Sequence, residues 1–286
     1  MRKRVSTMVA VVLMALLVVA SAPPAAGAQY DIVVIGSNDP DLDVNKVQWA
    51  VDNYNRILLK GTFDFGDWGT VAVTRDVEIH GEKSRNVYNT KIIGGQIPFL
   101  VGSSATGPYE FFNNPDALVP VNSFAIRDIS FENAMVAVGV ASCHGDVRIT
   151  GNEVVDGRLW DFGSWSFSAG IYVGSVAAAN DPGVVTGNIT IANNQIDGRG
   201  RSWAAQPEDD PWAVHDPDFG RWYRGIVNGI YFSNVAAHAD IVGNRVVNTL
   251  NTGIAVNNSP ALSDEMSATV TRNSIAPSAD EMYGDP

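Results

Sequence analysis

The chain is expected to be all-β, a single-stranded right-handed parallel β-helix closed at its start by a capping helix. Three observations predict this. Two short motifs alternate along the chain, apolar residues within each motif stand two apart, and the shortest circuit through both motifs takes 15 residues out and 8 back, 23 in all. A 20–50-residue period built from β-branched residues is the signature of stacked coils that share one core.

The elements follow in chain order. Arg2, Lys3 and Arg4 precede an apolar run from Val9 to Ala20, and Ala26-Gly27-Ala28 offers a small-x-small cleavage site before Gln29. Residues 1–28 therefore read as an export signal. The apolar run is short for a bilayer-spanning helix, and no later segment is apolar enough to span, so no membrane span is expected in the mature chain. No Cys follows the run closely, which argues against a lipid anchor. The expected location is secreted, periplasmic or cell-surface.

Removing 28 of the 286 residues leaves 258, and the net charge of −12 becomes −15 when the three basic residues of the leader go. Such a surface argues against nucleic acid or anionic membrane as a partner and suits cations or a salty medium. Cys143 is the single cysteine, so no intrachain disulfide can form and stability must come from packing.

Residues 29–56 read as a cap region. Asp43 can N-cap a helix whose residues Val44, Val47, Val51 and Tyr54 recur at helical spacing. The solenoid is assigned to residues 57–276, with first strands at Ile57 to Leu59, Val71 to Val73, Val77 to Ile79 and Ile92 to Ile93.

The first motif is Gly-Ile-x-Val: Gly170-Ile171-Tyr172-Val173, Gly229-Ile230-Tyr231-Phe232 and Gly253-Ile254-Ala255-Val256, with Ala137-Val138-Gly139-Val140 a looser copy. The second places Asn between two apolar residues: Ile149, Asn152 and Val154; Ile191, Asn194 and Ile196; Ile241, Asn244 and Val246; Val270, Asn273 and Ile275. Alternation turns Ile171 and Val173 inward and Tyr172 outward. The recurring Asn reads as structural, a ladder of side-chain amides running from coil to coil.

These motifs resemble those of the pectate-lyase-like right-handed β-helix superfamily, well over residues 120–276 and loosely over 57–101. The resemblance is specific for fold and not for activity, and no particular enzyme family's signature is complete.

Residues 277–286 form an acidic tail without a capping pattern, so the C-terminal end is expected to be covered by a partner or by sequence that is missing here. Relative to the shortest return between motifs, two returns are lengthened, at about residues 157–169 and 198–228. Both leave the same edge of consecutive coils, so their roots should lie one strand spacing, ~4.8 Å, apart. Five of the seven Trp fall in them: Trp160, Trp165, Trp203, Trp212 and Trp222. With outward Tyr172 and Tyr231 as a floor, these are the candidate substrate-binding residues, because indoles stack on the apolar faces of sugars. The competing interpretation is that the indoles merely pack the loops down.

Asp161, Asp209, Asp210, Asp216, Asp218 and Arg224 are the candidate catalytic residues. The resemblance implies either a calcium-assisted lyase with an Arg or Lys base, or a hydrolase with paired carboxylates. Asp209, Asp210, Asp216 and Asp218, four Asp within ten residues, are the candidate calcium ligands. Asp39-x-Asp41-x-Asp43 has calcium-loop spacing but lacks the EF-hand Gly and is interrupted by Pro40. The expected function is thus an exported polysaccharide lyase or glycoside hydrolase, its cleft between the two insertions. The alternative is a non-catalytic cell-surface protein that binds glycan or serves as a spacer.

Overall fold

A computed structural model describes residues 30–105, 115–161, 166–174, 185–199, 215–216, 220–258 and 266–277. Among them the chain is mostly strand, with one α-helix, Pro40–Asn53. The export segment and the residues of the acidic tail after Pro277 lie outside the described residues. No described helix is long and apolar enough to cross a membrane.

Parallel strands stack in three ladders, which the chain visits in turn. The first runs from Ile32–Ile35 through the start of Arg56–Asp64, then Val77–Gly81, Val121–Arg127, Cys143–Thr150, Thr186–Ala192, Ala236–Val242 and Ser267–Thr271. The second begins with the end of Arg56–Asp64 and continues through Thr90–Ile93, Ser130–Glu132, Glu153–Val155, Gln195–Asp197, Arg245–Thr249 and Ser274–Pro277. The third holds Thr70–Val73, Ile97–Val101, Val136–Val140, Ala169–Gly174, Asn228–Ser233 and Thr252–Asn257.

Register places the Gly-Ile motifs on top of one another: Val71, Phe99, Val138, Ile171, Ile230 and Ile254 form one row. All belong to or pack against a single apolar core, with Ile171 and Ile230 essentially buried. The second motif forms the corner between the first two ladders. Each Asn there donates from Nδ2 to a carbonyl one circuit earlier, Asn194 to Ile149 and Asn244 to Ile191; Oδ1 of Asn194 and of Asn244 accepts from the preceding Asn, and Oδ1 of Asn152 accepts from the Ile129 N–H. A residue with left-handed φ precedes each Asn: Gly151, Asn193, Gly243 and Arg272. That turn aims the amide along the stack, and glycine or asparagine enters it at least cost.

The helix closes the start of the core, with Val47, Ala50 and Val51 fully buried. Its Gln48 amide donates to the carbonyl of Ala72 and accepts from the Ala72 N–H, both at hydrogen-bond distance, and so stands in for a strand on the open edge of Thr70–Val73. The expected cap is corrected here. Asp39 is the N-cap and accepts from the Asp41 N–H, with Pro40 following at the first turn. Asp43 lies inside the helix, fully buried, and accepts from Ser37, Asp39 and Asp64. The Asp39–Asp43 spacing is thereby accounted for without a cation. Strand Ile32–Ile35, inside the expected cap region, was not anticipated; it adds one more parallel strand beside Arg56–Asp64.

Candidate functional site

The two insertions meet. Both leave the corner between the second and third ladders, and their strands Arg158–Asp161, Ser166–Phe167, His215–Asp216 and Gly220–Arg224 pair as one four-stranded antiparallel sheet. Their roots are fastened together. The Gly225 N–H donates to the carbonyl of Gly157, the buried Ser168 hydroxyl donates to the carbonyl of Gly225, and the same hydroxyl accepts from the Val227 N–H. Gly157 must lack a side chain, because a Cβ there would meet Ile226 at 2.6 Å.

Register sets out the candidate residues. Trp160 stands opposite both Phe167 and Trp222, forming an aromatic row. The next row holds Ser166, Asp161, Arg221 and His215, and beyond it Asp216 stands opposite Gly220. Arg158 stands opposite Arg224. Of the remaining candidates, Trp165, Trp203, Asp209, Asp210, Trp212 and Asp218 lie outside the described residues. The calcium expectation rests on that cluster, of which only Asp216 is placed. Among the described residues no three metal-ligating side chains gather.

The outward row of the third ladder reads Ala72, Leu100, Gly139, Tyr172, Tyr231 and Ala255. Here one expectation is corrected. Tyr172 does alternate away from the central core, but it is 1% exposed and cannot be the open floor of a cleft. A second apolar cluster covers it, drawing Phe167 from the first insertion and Ala105, Ala117 and Leu118 from the segment before Val121. The Phe167 ring meets Tyr172 edge-on at 5.3 Å, and Tyr172 stacks on Tyr231 at 5.8 Å. Burial pushes the Tyr172 phenol well above its usual range, with Ser233 as a hydrogen-bonding neighbour. Tyr231 is only partly buried, and its hydroxyl accepts from Asn257 at 2.9 Å, so the accessible part of this face lies toward Tyr231.

Three contributors were missed in the sequence. Phe167 and Ser168 continue the alternating pattern just before Ala169-Gly170, a signal that was present but lay inside an assigned loop. Asp67 had none: it sits in the turn after Arg56–Asp64 and pairs with the buried Arg158 at 2.9 Å, pinning the inserted sheet to a corner laid down much earlier in the chain. No protein-family model, no curated protein and no solved structure matches the chain.

Proposed function

We propose that the three ladders close as a right-handed parallel β-helix of the pectate-lyase-like kind, and that the protein is exported to act on polysaccharide as a lyase or glycoside hydrolase. The right hand follows from the general preference of parallel crossovers. The observation that carries the functional reading is the pairing of Arg158–Asp161 with Gly220–Arg224, which sets Asp161 opposite Arg221 and Trp160 opposite Trp222. A carboxylate opposite a guanidinium is a pairing that sugar recognition uses for hydroxyls or a reacting proton, and indoles offer flat apolar faces to stack on rings. In the lyase form an Arg of this sheet serves as base; in the hydrolase form Asp161 pairs with a second carboxylate of the insertion as acid and base.

A non-catalytic glycan-binding role is favoured by one observation. Tyr172 is covered by Phe167, so the aromatic residues of this face also serve packing, and a surface strip near Tyr231 would bind without a deep cleft. The test is to incubate the purified protein with acidic and neutral polysaccharides, following ultraviolet absorbance of unsaturated ends and release of reducing ends. Either product supports the enzyme, retention on immobilised glycan without product supports the binder, and neither result would discard both.

A further inference from the structure

The outward face of the first ladder carries a group of reactive side chains away from the corner where the insertions pair. Parallel register sets one outward row as Ser123, Asp146, Asn188, His238 and Ser267, and the row beside it as Ala125, Arg148, Thr190, Asp240 and Thr269. Neighbours in a row stand about 4.8 Å apart, close enough for side chains to meet. Three of them do. The Ser267 hydroxyl lies 2.8 Å from Nδ1 of His238, and Nε2 of the same ring lies 3.5 Å from Oδ1 of Asp240.

Each group prepares the next. Asp240 draws the imidazole proton to Nε2, which leaves Nδ1 to accept from the Ser267 hydroxyl. Asp146, further along the row, is engaged instead with Arg148 at 2.8 Å and Asn188 at 3.1 Å. A hydroxyl bonded to a base that a carboxylate orients is the arrangement that activates serine as a nucleophile. The side chains of His238 and Asp240 are each 46% exposed and Ser267 is exposed, so the group stands at the surface and not in the core.

We infer that Ser267, His238 and Asp240 form a hydrolytic group whose substrates are carboxylic esters with small acyl groups. On an open strand face the reaction depends on the leaving group more than on binding, which selects esters over amides. Oγ of Ser267 attacks the ester carbonyl carbon as its proton passes to Nδ1 of His238. The carbon–oxygen bond to the alcohol breaks, and the alcohol leaves with that proton. Water then attacks the acyl-serine while giving a proton to Nδ1; the acyl–Oγ bond breaks, Oγ recovers the proton and the carboxylic acid departs. Asp240 is a positioning residue that steadies the imidazolium in both halves. Thr269, two residues beyond Ser267 on the same face, offers a hydroxyl to the carbonyl oxygen as it gains charge. The inference is independent of the proposed action on polysaccharide.

The test uses 4-nitrophenyl acetate as substrate and a fluorophosphonate as a label, with the labelled peptide mapped by mass spectrometry. The purified protein is expected to hydrolyse the ester, and Ser267→Ala and His238→Gln should each lower kcat/KM at least tenfold with unchanged circular dichroism. Asp240→Asn should lower kcat and leave KM as it is, and Asp240→Glu should restore most of the loss. The label should sit on Ser267 and be lost in His238→Gln. Hydrolysis no faster than that of Ser267→Ala, a label on any other residue, or full activity in His238→Gln or Asp240→Asn would overturn the inference.

Discussion

Asn194 and Asn244 are joined twice through one atom: Oδ1 of Asn244 accepts the Asn194 backbone N–H at 2.9 Å and its Nδ2 at 3.0 Å. Asn152 relates to Asn194, and Asn244 to Asn273, in the same way. The corner of the stack is therefore a continuous chain of amides in the dry interior, where an unmet partner is costly.

Asn194→Ala removes the acceptor for Asn152 and the donor to Ile149. It should destabilise the protein by ~1–3 kcal/mol in urea unfolding, with any activity per folded molecule retained. Loss of activity at unchanged stability would move this residue from scaffold to site.

The buried Asp43 predicts a pH dependence. Burial alone would raise its pKa, but hydrogen bonds from the Ser37 side chain and from the Ser37, Asp64 and Asp39 amides hold it below the ordinary 3.8. A carboxyl depressed in the folded state contributes stability above its unfolded pKa and loses it as pH falls through the folded value. Asp43→Asn should therefore cost ~1–3 kcal/mol near neutrality, and the gap to the parent should narrow as melting is measured progressively below pH 3.8.

His80 acts in a higher window. Burial first, and then Arg127, lower its pKa from 6.5, against the opposing pull of Glu78 and Asp128. Its Nδ1 lies 2.7 Å from the Tyr30 hydroxyl, and Glu78 approaches Nε2 at 2.6 Å. The unfolded chain takes up a proton here before the folded one does, so stability falls as pH drops below 6.5 toward the lower folded pKa. His80→Gln should flatten the melting-temperature profile across that interval, and an unchanged slope would assign it to other groups.

The pair Asp67 and Arg158 tests whether the inserted sheet is held to the body. Asp67→Ala and Arg158→Ala should each loosen it, seen as faster proteolysis at residues 158–168. A double-mutant cycle should give coupling of about 1 kcal/mol, modest because the Asp67 side chain is 54% exposed. Independent effects would mean that the pair contributes no anchoring.

Much of the scaffold was legible because the same local rule repeats. Period-two alternation with Gly-Ile and Asn punctuation put Ile171, Ile230 and Ile254 in one row, and the lengthened returns implied that two insertions share an edge. What alternation cannot convey is what lies above an outward residue, so Tyr172 read as exposed although Phe167 covers it. The helix is legible from its apolar spacing, which points to Asp43 as the cap; Pro40, a first-turn residue, is the marker that places the cap at Asp39 instead. Strand Ile32–Ile35 is a short apolar run without a motif, and the antiparallel pairing of Arg158–Asp161 with Gly220–Arg224 depends on contacts between distant loops that no local pattern encodes.

The pairing of Trp160 with Trp222 separates recognition from packing. If the indoles serve sugar binding, Trp160→Ala with Trp222→Ala should weaken retention on polysaccharide and change the melting temperature little. If they pack the insertions, stability should fall by several kcal/mol, since removing a buried aromatic side chain typically costs ~3–5 kcal/mol.

The most direct measurement is turnover of a polysaccharide panel by the purified protein, compared with Asp161→Asn and Arg221→Gln variants that retain the parent's melting temperature. The account predicts unsaturated or reducing ends from at least one polysaccharide, reduced at least tenfold in one of the two variants. Full activity in both variants, or neither product nor retention with any polysaccharide, would contradict the placement of a polysaccharide-active site where the two insertions pair.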